Sequence, residues 1–184
     1  MYRKAFTLKL TAVSVLFGLV FFIFSCKKSD TPPVKQLQNF KVRILAANNN
    51  EYAAGQILPA LQNAWGLAWS PTGIAWVNTE VGHVSDVMDS IGNPLALDPV
   101  NIPSPSNTTG GSPTGIVFNS NSGQFLITSG NGSASQEARF IFAGSDGVLS
   151  AWNGTWGHNS IRVAADDRSS YTGLTLASFD GNNY

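Results

Sequence analysis

A short pattern occurs three times in this chain: glycine, an apolar residue, a small or branched residue, another apolar residue, then a polar turn and a second apolar run. Its first copy is Trp65-Gly66-Leu67-Ala68-Trp69-Ser70-Pro71-Thr72-Gly73, leading into Ile74-Ala75-Trp76-Val77-Asn78. The second is Thr114-Gly115-Ile116-Val117-Phe118-Asn119, then Ser122-Gly123 and Gln124-Phe125-Leu126-Ile127-Thr128. The third is Thr172-Gly173-Leu174-Thr175-Leu176-Ala177, followed by Asp180-Gly181-Asn182-Asn183-Tyr184. The marker glycines Gly66, Gly115 and Gly173 stand 49 and 58 positions apart. Recurrence at such a period is the signature of repeat architectures, whose units stack to hide apolar faces that none can bury alone.

A second signal recurs within the period. Asp86–Leu95 matches Arg139–Leu149, each reading as strand, tight turn and outer strand. Asp146-Gly147 and Asp180-Gly181 are dipeptides that reach positive φ cheaply and close hairpins. Two hairpins per period make four strands in about 50 residues, which is the content of a β-propeller blade. Charged residues are 12% of the chain, about half of the usual globular share of roughly 25%. Gly, Ser, Asn and Thr take their place, which favours short strands and many turns.

The reading is therefore all-β: a partial propeller with blade-like repeats at 63–97, 113–153 and an incomplete one at 171–184. Asp98–Pro113 holds four prolines and reads as a linker without strands, and Ser129–Ala138 as a polar loop. Phe40–Leu45 alternates and reads as a lone strand on the outer edge of a blade begun elsewhere. Two such units and part of a third cannot close a ring, and open sheets expose edges. The expectation is that this is the opening part of a longer protein, with a smaller β-sandwich as the alternative.

Before the repeats comes a different kind of segment. Met1–Lys9 carries Arg3, Lys4 and Lys9 and no acid. Leu10–Phe24 is apolar but for Thr11, Ser14 and Gly18, and at fifteen residues falls short of the roughly 20 a membrane span needs. Ile23-Phe24-Ser25-Cys26 follows, and it resembles a lipobox. That resemblance implies cleavage of a signal peptide over 1–25, a diacylglyceryl group on the Cys26 sulfur and an acylated amine, which anchor stably to a membrane. Residues 26–39 are polar and proline-bearing and read as a tether. The expected location is the cell envelope, with the membrane held through lipid. Without residues 1–25 the chain keeps 8 basic and 11 acidic residues, a net of −3, which gives no electrostatic reason to bind nucleic acid.

From Asn63-Ala64-Trp65-Gly66-Leu67-Ala68-Trp69 through Gly111-Ser112-Pro113-Thr114-Gly115 to Ala138–Ala143 and Ser150-Ala151-Trp152-Asn153, the chain resembles an uncharacterised bacterial secreted family with members associated with the PEP-CTERM sorting system. The likeness covers about residues 40–184. It implies an exported β-propeller of about twice this length with no assigned reaction. Ala64, where the family tends to have proline, and the lipid anchor in place of a C-terminal sorting tail are departures.

Chemistry is harder to read. The single cysteine is committed to lipid, and no Gly-x-Ser-x-Gly elbow exists. His83 and His158 read as hydrogen-bonded loop histidines in preference to bases or ligands, and zinc would want further His or Cys beside them. Asp166-Asp167 reads as a surface turn, since a calcium site wants several clustered oxygens. Asn63, just before the first inner strand, is the one candidate ligand-binding residue, with turn capping as its plainer role. Trp65, Trp69, Trp76, Trp152 and Trp156 could form a carbohydrate platform, but recurrence at repeat positions favours core packing. No catalytic residue, cofactor or metal is assigned. The expected function is a binding or scaffold module for a protein or carbohydrate ligand; the alternative is a calcium-dependent hydrolase of the lactonase type.

Overall fold

A computed structural model describes residues 39–128 and 135–184. The signal segment 1–25, Cys26 and all of the tether except Asn39 lie outside the described residues. The chain divides after Lys41, and the fold belongs to Val42–Tyr184. It is all-β: the described residues form strands, turns and two short 3-10 turns, with no α-helix.

Two four-stranded sheets dominate. Sheet one joins β3 (Ala64–Trp69), β4 (Ala75–Thr79), β5 (Val84–Met88) and β6 (Val100–Asn101) in chain order, antiparallel throughout. Sheet two joins β7 (Pro113–Phe118), β10 (Phe140–Gly144), β11 (Val148–Trp152) and β12 (Ile161–Ala165) in the same meander. Between β7 and β10 the chain leaves to form a two-stranded ladder of β8 (Leu126–Ile127) and β9 (Gln136–Glu137). A parallel pair, β1 (Ala46–Ala47) with β2 (Gln56–Ile57), precedes sheet one, and a hairpin of β13 (Ser178–Phe179) and β14 (Asn182–Asn183) follows sheet two.

The repeat thus yields two like sheets, but several strands fall elsewhere than the sequence suggests. The fourth strand of sheet one is Val100–Asn101, inside the proline-rich stretch read as a strandless linker. The fourth strand of sheet two is Ile161–Ala165, beyond the expected limit at residue 153. Phe140–Gly144 is the second strand of its sheet, a place assigned to Gln124–Thr128 in the reading. Left-handed backbone at Gly123 (φ 76°) and Phe125 (φ 52°) interrupts that earlier run. Phe40–Leu45 forms no strand; Phe40 and Val42 are exposed, and at its end the Ile44 and Leu45 carbonyls accept the Gly55 and Gln56 N–H groups at 3.1 and 2.9 Å, leading into the β1–β2 pair.

The main core lies where the sheets face each other. Trp76, Val87, Val100 and Ile102 from sheet one and its continuation meet Ile116, Phe140, Phe142 and Trp152 of sheet two. Trp76 stacks on Phe140 with ring centroids 4.1 Å apart and tilts against Trp152 at 4.7 Å. Burying each of these side chains contributes roughly 1.5–3 kcal/mol, and aromatic pairing of this kind adds about 0.5–1.5 kcal/mol. Two smaller clusters cover parts of the opposite faces. Leu58 packs on Ala75 and Met88 behind sheet one, and Ile127 with Ala138 packs on Ala151 behind sheet two. Both sheets are consequently apolar on both faces, as buried strands require.

Candidate functional site

The inner strands β3 and β7 lie side by side, and their glycines explain how closely. A Cβ added to Gly66 would lie 2.5 Å from the Thr114 carbonyl oxygen and 2.9 Å from Ile116 Cγ2. One added to Gly115 would lie 2.6 Å from the Gly173 carbonyl carbon. Gly66 and Gly115 are therefore the points where the next unit's inner segment presses in, and hydrogen bonds fix the approach. The Asn78 side-chain amide, fully buried, donates to the Gly115 carbonyl at 2.9 Å. The Thr114 hydroxyl lies 3.0 Å from the Ala143 carbonyl and 2.6 Å from that of Tyr171, tying the second unit to the start of the third.

These contacts bring the three equivalent tripeptides, Trp65-Gly66-Leu67, Thr114-Gly115-Ile116 and Thr172-Gly173-Leu174, around one cavity of about 260 Å³. None of its lining side chains titrates in the physiological range, so the cavity offers backbone groups, hydroxyls and apolar surface. A second cavity, of about 290 Å³, lies behind sheet two, between Val117, Ile141, Leu149 and the third unit's Leu174 and Leu176.

Asn63 stands at the start of β3 with φ 51°, exposed. Its side chain donates to Glu80 Oε2 at 3.2 Å, while its carbonyl accepts the Glu80 N–H at 3.1 Å. The other Glu80 oxygen accepts from Ser145 Oγ at 3.3 Å, on the β10–β11 turn of sheet two. Asn63 thus pins its strand to the end of β4, and Glu80 carries the link across the sheets. Asp146 repeats the device from the same turn by accepting the Ser112 N–H at 3.1 Å, just before β7.

The other residues singled out by sequence are not brought together. The His83 ring nitrogen Nδ1 is 2.8 Å from the Gly111 carbonyl, and that of His158 is 3.3 Å from the Pro99 carbonyl. Asp166 accepts from Arg168 and Ser169 within its own turn, bonds that hold its carboxyl below the usual range. No cluster of three or more metal-ligating side chains occurs among the described residues. Trp76 and Trp152 are in the core; Trp65 and Trp69 are about half exposed.

One pair escaped the sequence reading. Asp86, in the middle of β5, is 1% exposed, and its Oδ2 has no partner in the fold. Burial, with the nearby Asp98 carboxylate, pushes its pKa to about 7. Burial also raises Asp98, against the opposing pull of the Val87 N–H it accepts and of the His158 charge. The available signal was a carboxylate set inside Val84-Ser85-Asp86-Val87-Met88, an otherwise uncharged run.

Comparison with protein-family models, with curated proteins and with solved structures finds no match to this chain.

Proposed function

We propose that this protein is a lipid-anchored lipoprotein of the bacterial cell envelope, and that its domain is a propeller-type stack serving as a binding or scaffold module. The domain part rests on one observation. The marker glycine of unit one receives the inner strand of unit two, and the marker glycine of unit two receives the inner segment of unit three. A β-sandwich buries one face of each sheet and leaves the other polar. Here sheet one also carries Trp65, Leu67 and Trp69 on the face turned away from sheet two, which suits a sheet with neighbours on both sides. Likeness to the secreted propeller family belongs to the same proposal.

Binding is favoured over catalysis by the cavity where the three tripeptides meet: it presents shape, hydroxyls and backbone, the means by which a protein segment or a sugar is held. The anchor rests on the basic start, the fifteen-residue apolar run and the Ser25-Cys26 junction.

Cell fractionation tests the address. The wild-type protein should sediment with membranes and take up labelled fatty acid. Cys26→Ala should be unlabelled and lose membrane retention on salt washing. A Cys26→Ala protein that stays with the membranes and still takes up label would sink the lipoprotein reading.

A further inference from the structure

We infer that the bulge Ala96–Pro99 is a pH-operated clasp on the outer edge of sheet one: Asp98 holds it shut against β5, and ionisation of the buried Asp86 carboxyl releases it. Every group involved lies within units one and two.

The bulge comes from a mismatch in register. Met88 faces Pro94, and Ser85 faces Val100. Between these points β5 takes three steps and the returning chain takes six, so residues of Ala96–Pro99 must loop out. Leu95 still donates to the Val87 carbonyl at 3.0 Å, but the Val87 N–H donates to the Asp98 carboxylate in place of a backbone group. The Asp98 N–H in turn donates to the Leu95 carbonyl at 2.9 Å, which closes the bulge on itself. One side chain thus fastens the bulge to the strand, and it does so by satisfying a backbone donor that would otherwise be buried without a partner.

Asp86 stands one residue away on β5. Strand alternation puts it on the face of Met88, where Leu58 packs. It is 1% exposed and its Oδ2 has no partner among the described residues. The strand opposite offers Val77, and the cluster of Leu58, Ala75 and Met88 brings no charge. The charge that reaches Asp86 is the like charge of Asp98, and the one that reaches Asp98 is His158. A neutral Asp86 leaves the Asp98 carboxylate in place. An ionised Asp86 sets two carboxylates against each other away from water, and the bulge is the part that can swing out to hydrate both.

The clasp sits on a seam between the sheets. Just beyond it, Asn101 donates to the His158 carbonyl at 2.8 Å and accepts the Ser160 N–H at 3.0 Å, while the Pro99 carbonyl lies 3.3 Å from His158 Nδ1. Opening therefore loosens the join between the outer strand of unit one and the turn that leads into β12. The closed form holds the Asp86 proton, so it is favoured at acid pH and weakens as pH rises toward about 7.

Amide exchange read by NMR on the full chain in detergent micelles, corrected for the intrinsic pH dependence of exchange, tests this. The Val87, Asn101 and Ser160 amides should lose protection together, at least about tenfold between pH 5 and 8, and stay less protected than the β10 amides throughout. Asp86→Asn should keep their protection level across that range. Asp98→Asn, whose amide oxygen can still accept from Val87, should show a smaller fall. Wild-type protection that does not change with pH overturns the inference, as does a fall of equal size in Asp86→Asn. Protection that runs level with the β10 amides at every pH also overturns it, because the whole domain and not the clasp is then opening. Should Asp86→Asn not fold, an undiminished fall in Asp98→Asn decides against the clasp.

Discussion

Asp86 shows what a single residue costs this fold. Its neighbours in β5 are buried, its partner in β4 is Val77, and the nearest charge is another carboxylate, Asp98, itself faced by His158. An ionised carboxylate there loses water and gains no cation. The group therefore keeps its proton in the folded state up to about pH 7, whereas in the unfolded chain it releases it near 3.8. Between those values the folded state holds a proton that the unfolded state has lost, so stability falls as pH rises. The stabilisation is complete below pH 3.8 and gone above about 7, with a slope of at most about 1.4 kcal/mol per pH unit. Asp86→Asn should flatten that slope and raise the melting temperature at pH 8 relative to wild type, with little difference below pH 4. Melting curves across this range check it; an unchanged slope in Asp86→Asn would show that the carboxyl is not the source. Nothing in the sequence announced the pairing with Asp98, because those residues come together only when the Pro94–Val100 stretch folds back along β5.

Among the elements, β3 and β7 are the pair whose packing decides the architecture. Gly66 faces backbone of β7, which cannot move aside without shifting sheet two. Gly66→Ala should therefore destabilise the domain by about 1–3 kcal/mol, measured by denaturant unfolding, while an exposed glycine with open space, such as Gly173, has no neighbour to displace. These inner strands were legible because their pattern is local: glycine where another backbone comes near, apolar residues on both faces, and turn residues after them. The hairpin at Asp146-Gly147 was legible for the same reason, and Gly147 does adopt φ 76°. The outer strands were not. Val100 and Asn101 sit among prolines, and they are extended because Ser85 and Val84 offer an edge. Phe40–Leu45 shows the converse: it alternates well but forms no strand, and its Ile44 and Leu45 carbonyls lead into the β1–β2 pair through Gly55 and Gln56. Asn63 was legible as the residue before β3, but its link to Glu80, and Glu80's to Ser145, depend on how turns from two sheets meet.

At the scale of the molecule, the inner strand of the second unit is pressed against Gly66 and the inner segment of the third against Gly115. The aromatic core, the Asn78 bond to the Gly115 carbonyl and the cavity between the three tripeptides all follow from that arrangement. A sandwich of unrelated sheets could share the core but would not place equivalent residues in equivalent contacts twice over. Proton–proton contacts measured by NMR read this directly. The account predicts strong nuclear Overhauser effects from the Gly66 α-protons to the Ile116 methyls and from the Gly115 α-protons to the Leu174 side chain. Finding the first pair close but Gly115 far from Leu174, or neither pair close, would contradict it.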